Sequence, residues 1–280
     1  FLEKLKTLSV LLDNPIGASP LVRLLNRDGE YSLLATLSNG SAADQTVIVG
    51  FSGNGFTGAK SVRAVVPAGK SADFELPLRK TSAKTEPALR LYHNGRVLSV
   101  PVEVSECRAI SLDGTKARPG FPFTWSMKKA DGKLVLTVRV EDSTNSGADA
   151  AGRRPWEQDC LELFFDADPD TILPAHSRAY TPDTFRVFVL PRLAPEKQVE
   201  TWFRDGCRFS RKDLECKVVS DPAGYTVTLA LPLAKLGNRL GFDLKTDDAL
   251  PGKTTSREFI WSENRNNHSD RTAFGVLELK

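Results

Sequence analysis

Residues 154–166 read Arg-Pro-Trp-Glu-Gln-Asp-Cys-Leu-Glu-Leu-Phe-Phe-Asp. From Cys160 to Asp166 the run is rich in strong β-formers. In a strand, Leu161, Leu163 and Phe165 face one side of a sheet, and Cys160, Glu162 and Phe164 face the other. Glu162 then stands mid-strand, where a charge is costly unless it is solvated or paired. Pro155 fixes the backbone just before Trp156, which suits a strand entrance or a sheet edge. An indole plate beside the carboxylates of Glu157, Asp159 and Glu162 suits a sugar: the ring covers the apolar C–H face and the carboxylates accept from hydroxyls. The plainer alternative stays open, with Trp156 in a core and Glu162 as half of an ion pair.

Outward from this stretch the chain reads as all-β. In the first part, candidate strands are Leu8–Leu12, Leu21–Leu25, Tyr31–Leu37, Thr46–Phe51, Val62–Val66, Asp73–Leu78, Ala88–Tyr92 and Val97–Val102. Turn signals at Asn39-Gly40, Asn54-Gly55, Pro67-Ala68-Gly69 and Asn94-Gly95 separate them, a spacing typical of a β-sandwich. Their order is similar to an immunoglobulin-like domain. In the second part, strands are expected at Leu134–Val140, Leu161–Asp166, Phe185–Leu190, Glu215–Val219, Tyr225–Leu231, Gly241–Asp247, Phe259–Ser262 and Val276–Leu279. Asp221-Pro-Ala-Gly224 joins two of them as a hairpin. Stretches 142–155, 167–184, 191–210 and 262–273 are polar and are expected as loops; Trp125, Trp202 and Trp261 have core readings, with exposure in a loop left open as the alternative for Trp202. Helix is scarce, a turn at Leu233–Leu236 being the main candidate. The expected division is 1–105 and 106–280.

Composition narrows the function classes. The 280 residues carry 38 basic and 35 acidic side chains, a net charge of +3, so no polyanionic partner is implied. Lys and Arg are scattered rather than striped with aromatics, which argues against nucleic acid. No apolar run approaches a membrane span, which argues against membrane insertion. The first residue is Phe1, so a trimmed or mature piece of a longer protein, with domains upstream, is expected. None of the four cysteines lies in a Cys-x-x-Cys pair. His93, His176 and His268 are too dispersed for a metal site.

The Pro155-to-Asp166 run resembles the signature of family 9 carbohydrate-binding modules, a β-sandwich family. The likeness continues in order through Phe185-Arg186-Val187, Gly224-Tyr225-Thr226-Val227 and Leu231-Pro232-Leu233. It closes with Leu240-Gly241-Phe242-Asp243, Asp247-Asp248-Ala249, Trp261-Ser262 and Phe274-Gly275-Val276-Leu277. It covers roughly residues 107–280. By this resemblance Trp156 is a sugar-stacking platform, Glu162 a hydroxyl-binding carboxylate and Arg186 a donor fork. The family's second platform, a tryptophan, falls on His268. A glutamine and an asparagine fall on Lys245 and Asp247, an asparagine on Phe188 and a glutamate on Thr228.

The resemblance implies a non-catalytic binder of oligo- or polysaccharide, exported to the periplasm, medium or surface of a bacterium as an accessory part of a glycan-degrading or cell-surface protein. No cofactor is expected beyond structural calcium, for which Asp166, Asp168 and Asp170 offer loop oxygens at i, i+2 and i+4. The alternatives are a structural or adhesion module with a drifted pocket, a glycosidase, which needs a separated acid and base pair, and a haem binder using Met127, the single methionine. Cys207 and Cys216 flank a polar stretch that a disulfide would close if the protein is exported, although two unpaired thiols fit as well.

Overall fold

The computed structural model describes residues 15–18, 21–27, 30–53, 55–57, 61–81, 86–142, 154–169, 179–249, 256–272 and 274–279. The expected strand Leu8–Leu12 lies outside them. The chain forms two compact units, Phe1–Arg108 and Ala109–Lys280. The division falls within the strand Glu103–Ile110, three residues beyond the 105/106 boundary expected from the sequence.

The first unit is a sandwich of two sheets. In one, Glu30–Asn39 is central and runs antiparallel to Leu21–Arg27 and Ser71–Lys80, while Glu103 to Arg108 pairs parallel with Leu21–Arg27. The other has the order Val62–Val66, Gln45–Ser52, Ala88–His93, Arg96–Pro101. Period-2 alternation sends Val47, Val49, Leu89 and Leu91 into the core between the sheets, where each is 0 % exposed. Asn94 and Gly95 join the last two strands at φ 48° and 73°, the left-handed backbone of a two-residue hairpin turn.

The second unit is also a sandwich. Its first sheet has the order Lys116–Ala117, Phe123–Ala130, Lys133–Glu141, Gly224–Pro232, Glu215–Asp221. Phe123–Ala130 has no counterpart among the sequence-based expectations. The second sheet runs Val199–Phe203, Thr184–Val189, Cys160–Asp166, Arg239–Ala249, and then Gly275–Glu278. Ser256–Ile260 pairs with the later half of Arg239–Ala249, and Ala109 and Ile110 pair parallel with Val276 and Leu277.

Leu161, Leu163 and Phe165 enter the core of this unit with Trp125, Met127, Leu136, Val138, Val227 and Phe242. Burial of each such side chain contributes about 1.5–3 kcal/mol before the entropy of ordering. Phe165, Phe185 and Phe209 stack at 5.0 and 4.8 Å between centroids, and Trp125 meets Trp261 edge-on at 5.1 Å. Met127, 1 % exposed between the sheets, is packed as core rather than presented to a cofactor. Cys207 and Cys216 are free thiols.

Candidate functional site

The face of the second sheet turned away from this core carries the other half of the alternating residues. Glu162 stands directly opposite Phe188 on one side and Lys245 on the other. One two-residue step along, Phe164 stands opposite Arg186 and Asp243, and Arg186 opposite Trp202. Residues separated by more than 80 positions in sequence thus share rows about 4.8 Å apart from strand to strand.

Glu162 is 2 % exposed, so its charge must be paired. Lys245 supplies the partner, its Nζ lying 2.8 Å from Glu162 Oε1, 3.1 Å from Asp247 Oδ1 and 3.3 Å from Glu258 Oε1. Burial opposes the lysine's charge, but Glu162 and Asp247 outweigh it and hold the ammonium above the ordinary lysine range. Burial also pushes Asp247 well above the usual carboxylate range; Lys245 pulls it down and the neighbouring Glu162 pushes it further up.

Trp156 sits just before the strand, on a single 3-10 turn, Pro155–Glu157. The turn is closed by the Glu157 carboxylate, which accepts from the Arg154 N–H at 3.0 Å. The indole is 40 % exposed. Phe188 supports it at 6.2 Å and the Arg154 guanidinium lies 5.6 Å from its centre. The core reading of Trp156 is therefore set aside.

Arg186 is held in an aromatic cage, with centroids of Trp202, Tyr180 and Phe164 at 5.1, 5.4 and 5.7 Å. Its Nη2 donates to the His268 carbonyl at 2.9 Å. His268 is exposed on the loop where the resemblance puts it. That loop is anchored from below by Asp243, fully buried, which accepts from Ser262 N at 3.0 Å, Ser262 Oγ at 2.6 Å and Asn267 Nδ2 at 2.9 Å. Burial raises the Asp243 carboxyl to about 6 against the pull of these hydrogen bonds. Sequence reasoning missed Asp243; the only signal available was an acid inside an apolar strand.

Trp202 lies on the strand Val199–Phe203, where the sequence suggests a loop. Val-Glu-Thr-Trp-Phe alternates, but five residues beside a proline-bearing turn make a short signal.

The acidic run takes on another role. Asp166, 1 % exposed, is bound by Arg271 Nη1 at 2.6 Å, and that guanidinium also donates to the Pro169 and Ala179 carbonyls. Asp168 lies 3.5 Å from Arg208, and Asp170 is outside the described residues. An arginine thus already neutralises Asp166. Among the described residues no group of three His, Cys, Asp or Glu side chains is placed to hold a metal.

Depressions of about 480 and 560 Å³ lie on the first unit, both lined by Ile48 and Tyr92. They hold no acceptor carboxylate, and the sheet face with Trp156 has the better chemistry for hydroxyls.

Comparison with known proteins bears on the same unit. The profile described as carbohydrate family 9 binding domain-like matches residues 111–280. Endo-1,4-beta-xylanase C of Paenibacillus barcinonensis is 25 % identical over 167 residues, 52 % of this chain and 15 % of the xylanase. The chain thus spans only a small part of that relative's length. A family 9 module from Caldicellulosiruptor kristjanssonii, solved with cellotriose, is 19 % identical at a TM-score of 0.45, covering 59 % of this chain and 78 % of the module. The same module with glucose gives 20 % and 0.45, with coverage of 59 % and 80 %. Matched by that profile over more than half its length, this chain belongs to the carbohydrate family 9 binding domain-like family.

Proposed function

We propose that the second unit binds a glycan without cleaving it, on the outward sheet face that carries Trp156, Glu162 and Arg186. The observation that carries this reading is the exposed indole of Trp156, held over Phe188 at the end of a row of buried polar groups. An ordered, solvent-facing aromatic ring is costly to expose and is what a pyranose C–H face needs. Membership of the family supports the same reading.

The carboxylates support a binding role over a hydrolytic one. Glu157 closes its own turn, Asp159 accepts from Ala249 N at 3.0 Å and lies 3.7 Å from Arg192, and Glu162 is bound to Lys245. Each is committed to structure, which leaves none of the three poised as a general acid. We further place the unit as an accessory part of an exported bacterial glycan-degrading or cell-surface protein, with domains upstream; the partial match to a xylanase favours this. The two facing sheets of the first unit are consistent with an immunoglobulin-like spacer. Scattered basic residues speak against a nucleic-acid partner, and no described helix is long and apolar enough to cross a membrane.

A second reading, a structural or adhesion module whose pocket has drifted, is favoured by the Glu162–Lys245 pair, which occupies the carboxylate the family uses for hydroxyls. A glycan array followed by titration calorimetry separates the two. The panel begins with glucose, cello-oligosaccharides and xylo-oligosaccharides. Binding weaker than or near a millimolar dissociation constant, about −4 kcal/mol, and lost in Trp156→Ala, is expected. Binding unchanged in Trp156→Ala, or none by the wild type, would overturn the assignment. Turnover of a chromogenic glycoside panel that disappears in Glu157→Gln or Glu162→Gln would overturn its non-catalytic part.

A further inference from the structure

We propose that Trp202 and Glu200 form a second sugar subsite on the same face, so that the ligand is a chain of at least two sugar units. This rests on the carbohydrate reading above and moves the second platform away from His268. The strand Val199–Phe203 alternates in burial, with Glu200 and Trp202 exposed between the half-buried Val199, Thr201 and Phe203. Val199 and Phe203 pack on the core. Glu200 and Trp202 therefore project from the outward face, in register with Phe188 and Arg186.

The chain has four tryptophans. Trp125 and Trp261 are core, at 2 % and 7 % exposure, whereas Trp156 and Trp202 are each 40 % exposed. Both exposed rings rest on neighbours from one strand, Thr184–Val189. Trp156 leans on Phe188 at 6.2 Å, and Trp202 on the Arg186 guanidinium at 5.1 Å, with Tyr180 at 6.0 Å on its flank. The guanidinium is itself tied to the His268 carbonyl, so the indole of Trp202 is ordered without being covered. Ordered, partial exposure of two large rings on one face suits a stacking surface.

Spacing decides the length of the ligand. Phe188 and Arg186 are two residues apart on one strand, a step of about 6.6 Å. The residues on which the two indoles rest are thus one such step apart, a spacing that suits adjacent units of a chain. Glu200 lies at the Phe188 level, in the row of Phe188, Glu162 and Lys245. It is exposed and makes no ion pair among the described residues, so its oxygens are open to hydroxyls in a way that those of Glu162 are not.

Calorimetry with glucose, cellobiose and cellotetraose, or the corresponding series of the best array hit, tests this. The wild type should gain about tenfold in affinity from the mono- to the disaccharide, the size of one stacking contact. Trp202→Ala should erase that gain, and Glu200→Gln should weaken disaccharide binding. Trp156→Ala should lose every ligand. A length dependence that survives Trp202→Ala overturns the second subsite and leaves the proposed function intact. Absence of all binding by the wild type overturns both. Should Trp202→Ala fold poorly, Trp202→Phe replaces it: the part of the indole fluorescence change that the disaccharide induces beyond the monosaccharide should vanish with Trp202, and its persistence counts against the subsite.

Discussion

Lys245 Nζ lies 2.8 Å from Glu162 Oε1, and the two residues stand directly opposite one another on neighbouring antiparallel strands. The pair neutralises the floor of the candidate face, and it explains how a glutamate is accommodated in the middle of a buried strand. Removing one partner of a buried pair costs about 3–5 kcal/mol. Lys245→Met should therefore lower the unfolding free energy of the second unit by about 3 kcal/mol at neutral pH, read from the denaturation midpoint. The loss should shrink at acid pH, where Asp247, whose burial already favours the neutral form, takes up a proton in the variant. An unchanged midpoint would show the pair to be dispensable.

Asp243 predicts a pH dependence. Its folded carboxyl sits at about 6, above the unfolded value of 3.8. Its contribution to stability is therefore full below the unfolded value and is lost as pH rises through about 6. A shift of roughly two pKa units corresponds to about 3 kcal/mol. Asp247, also raised, acts in the same direction. Between pH 7 and 4 the wild type should gain more stability than Asp243→Asn, and parallel curves would refute the assignment.

His268→Trp is expected to tighten binding by up to about tenfold, since the exposed ring becomes a wider platform while the backbone carbonyl that Arg186 holds is unchanged. Calorimetry against the best oligosaccharide measures it. No gain, with the fold intact, would place this loop outside the ligand's reach.

Gly224 is required where the hairpin leaves Pro222 and Ala223. Its φ is 147°, and a Cβ there would meet the Val140 carbonyl oxygen at 2.0 Å and Asp142 N at 2.8 Å. Gly224→Ala should cost about 3 kcal/mol or more, through strain and overpacking together. A thermal melt shifted by under a degree would contradict this.

Much of the scaffold is legible in local pattern. Val62–Val66 is a strand with the bounds its sequence suggests, and the Asn94-Gly95 turn adopts φ of 48° and 73° as its residue types favour. Leu161, Leu163 and Phe165 go inward because a strand leaves them no other side. The pairing partners are different. Lys245 reads as a poor substitute for a glutamine until the register sets it against Glu162. Asp166 reads as a calcium ligand until the fold brings Arg271 onto it across 105 positions. Alternation tells which face a side chain takes, and only the order of strands tells what it meets there. Trp202 escaped for a third reason, the shortness of its strand.

The strand Val199–Phe203 lies at the margin of its sheet and sends only Glu200 and Trp202 outward. Neither side chain is part of the core, so selection can alter them with little effect on folding. Trp156, on its separate turn, has the same independence. A lineage can in this way keep the sandwich and retarget it from one glycan to another by a handful of exchanges. Divergence within such a family should then concentrate at these marginal positions while Phe165, Phe185 and Phe242 stay in place.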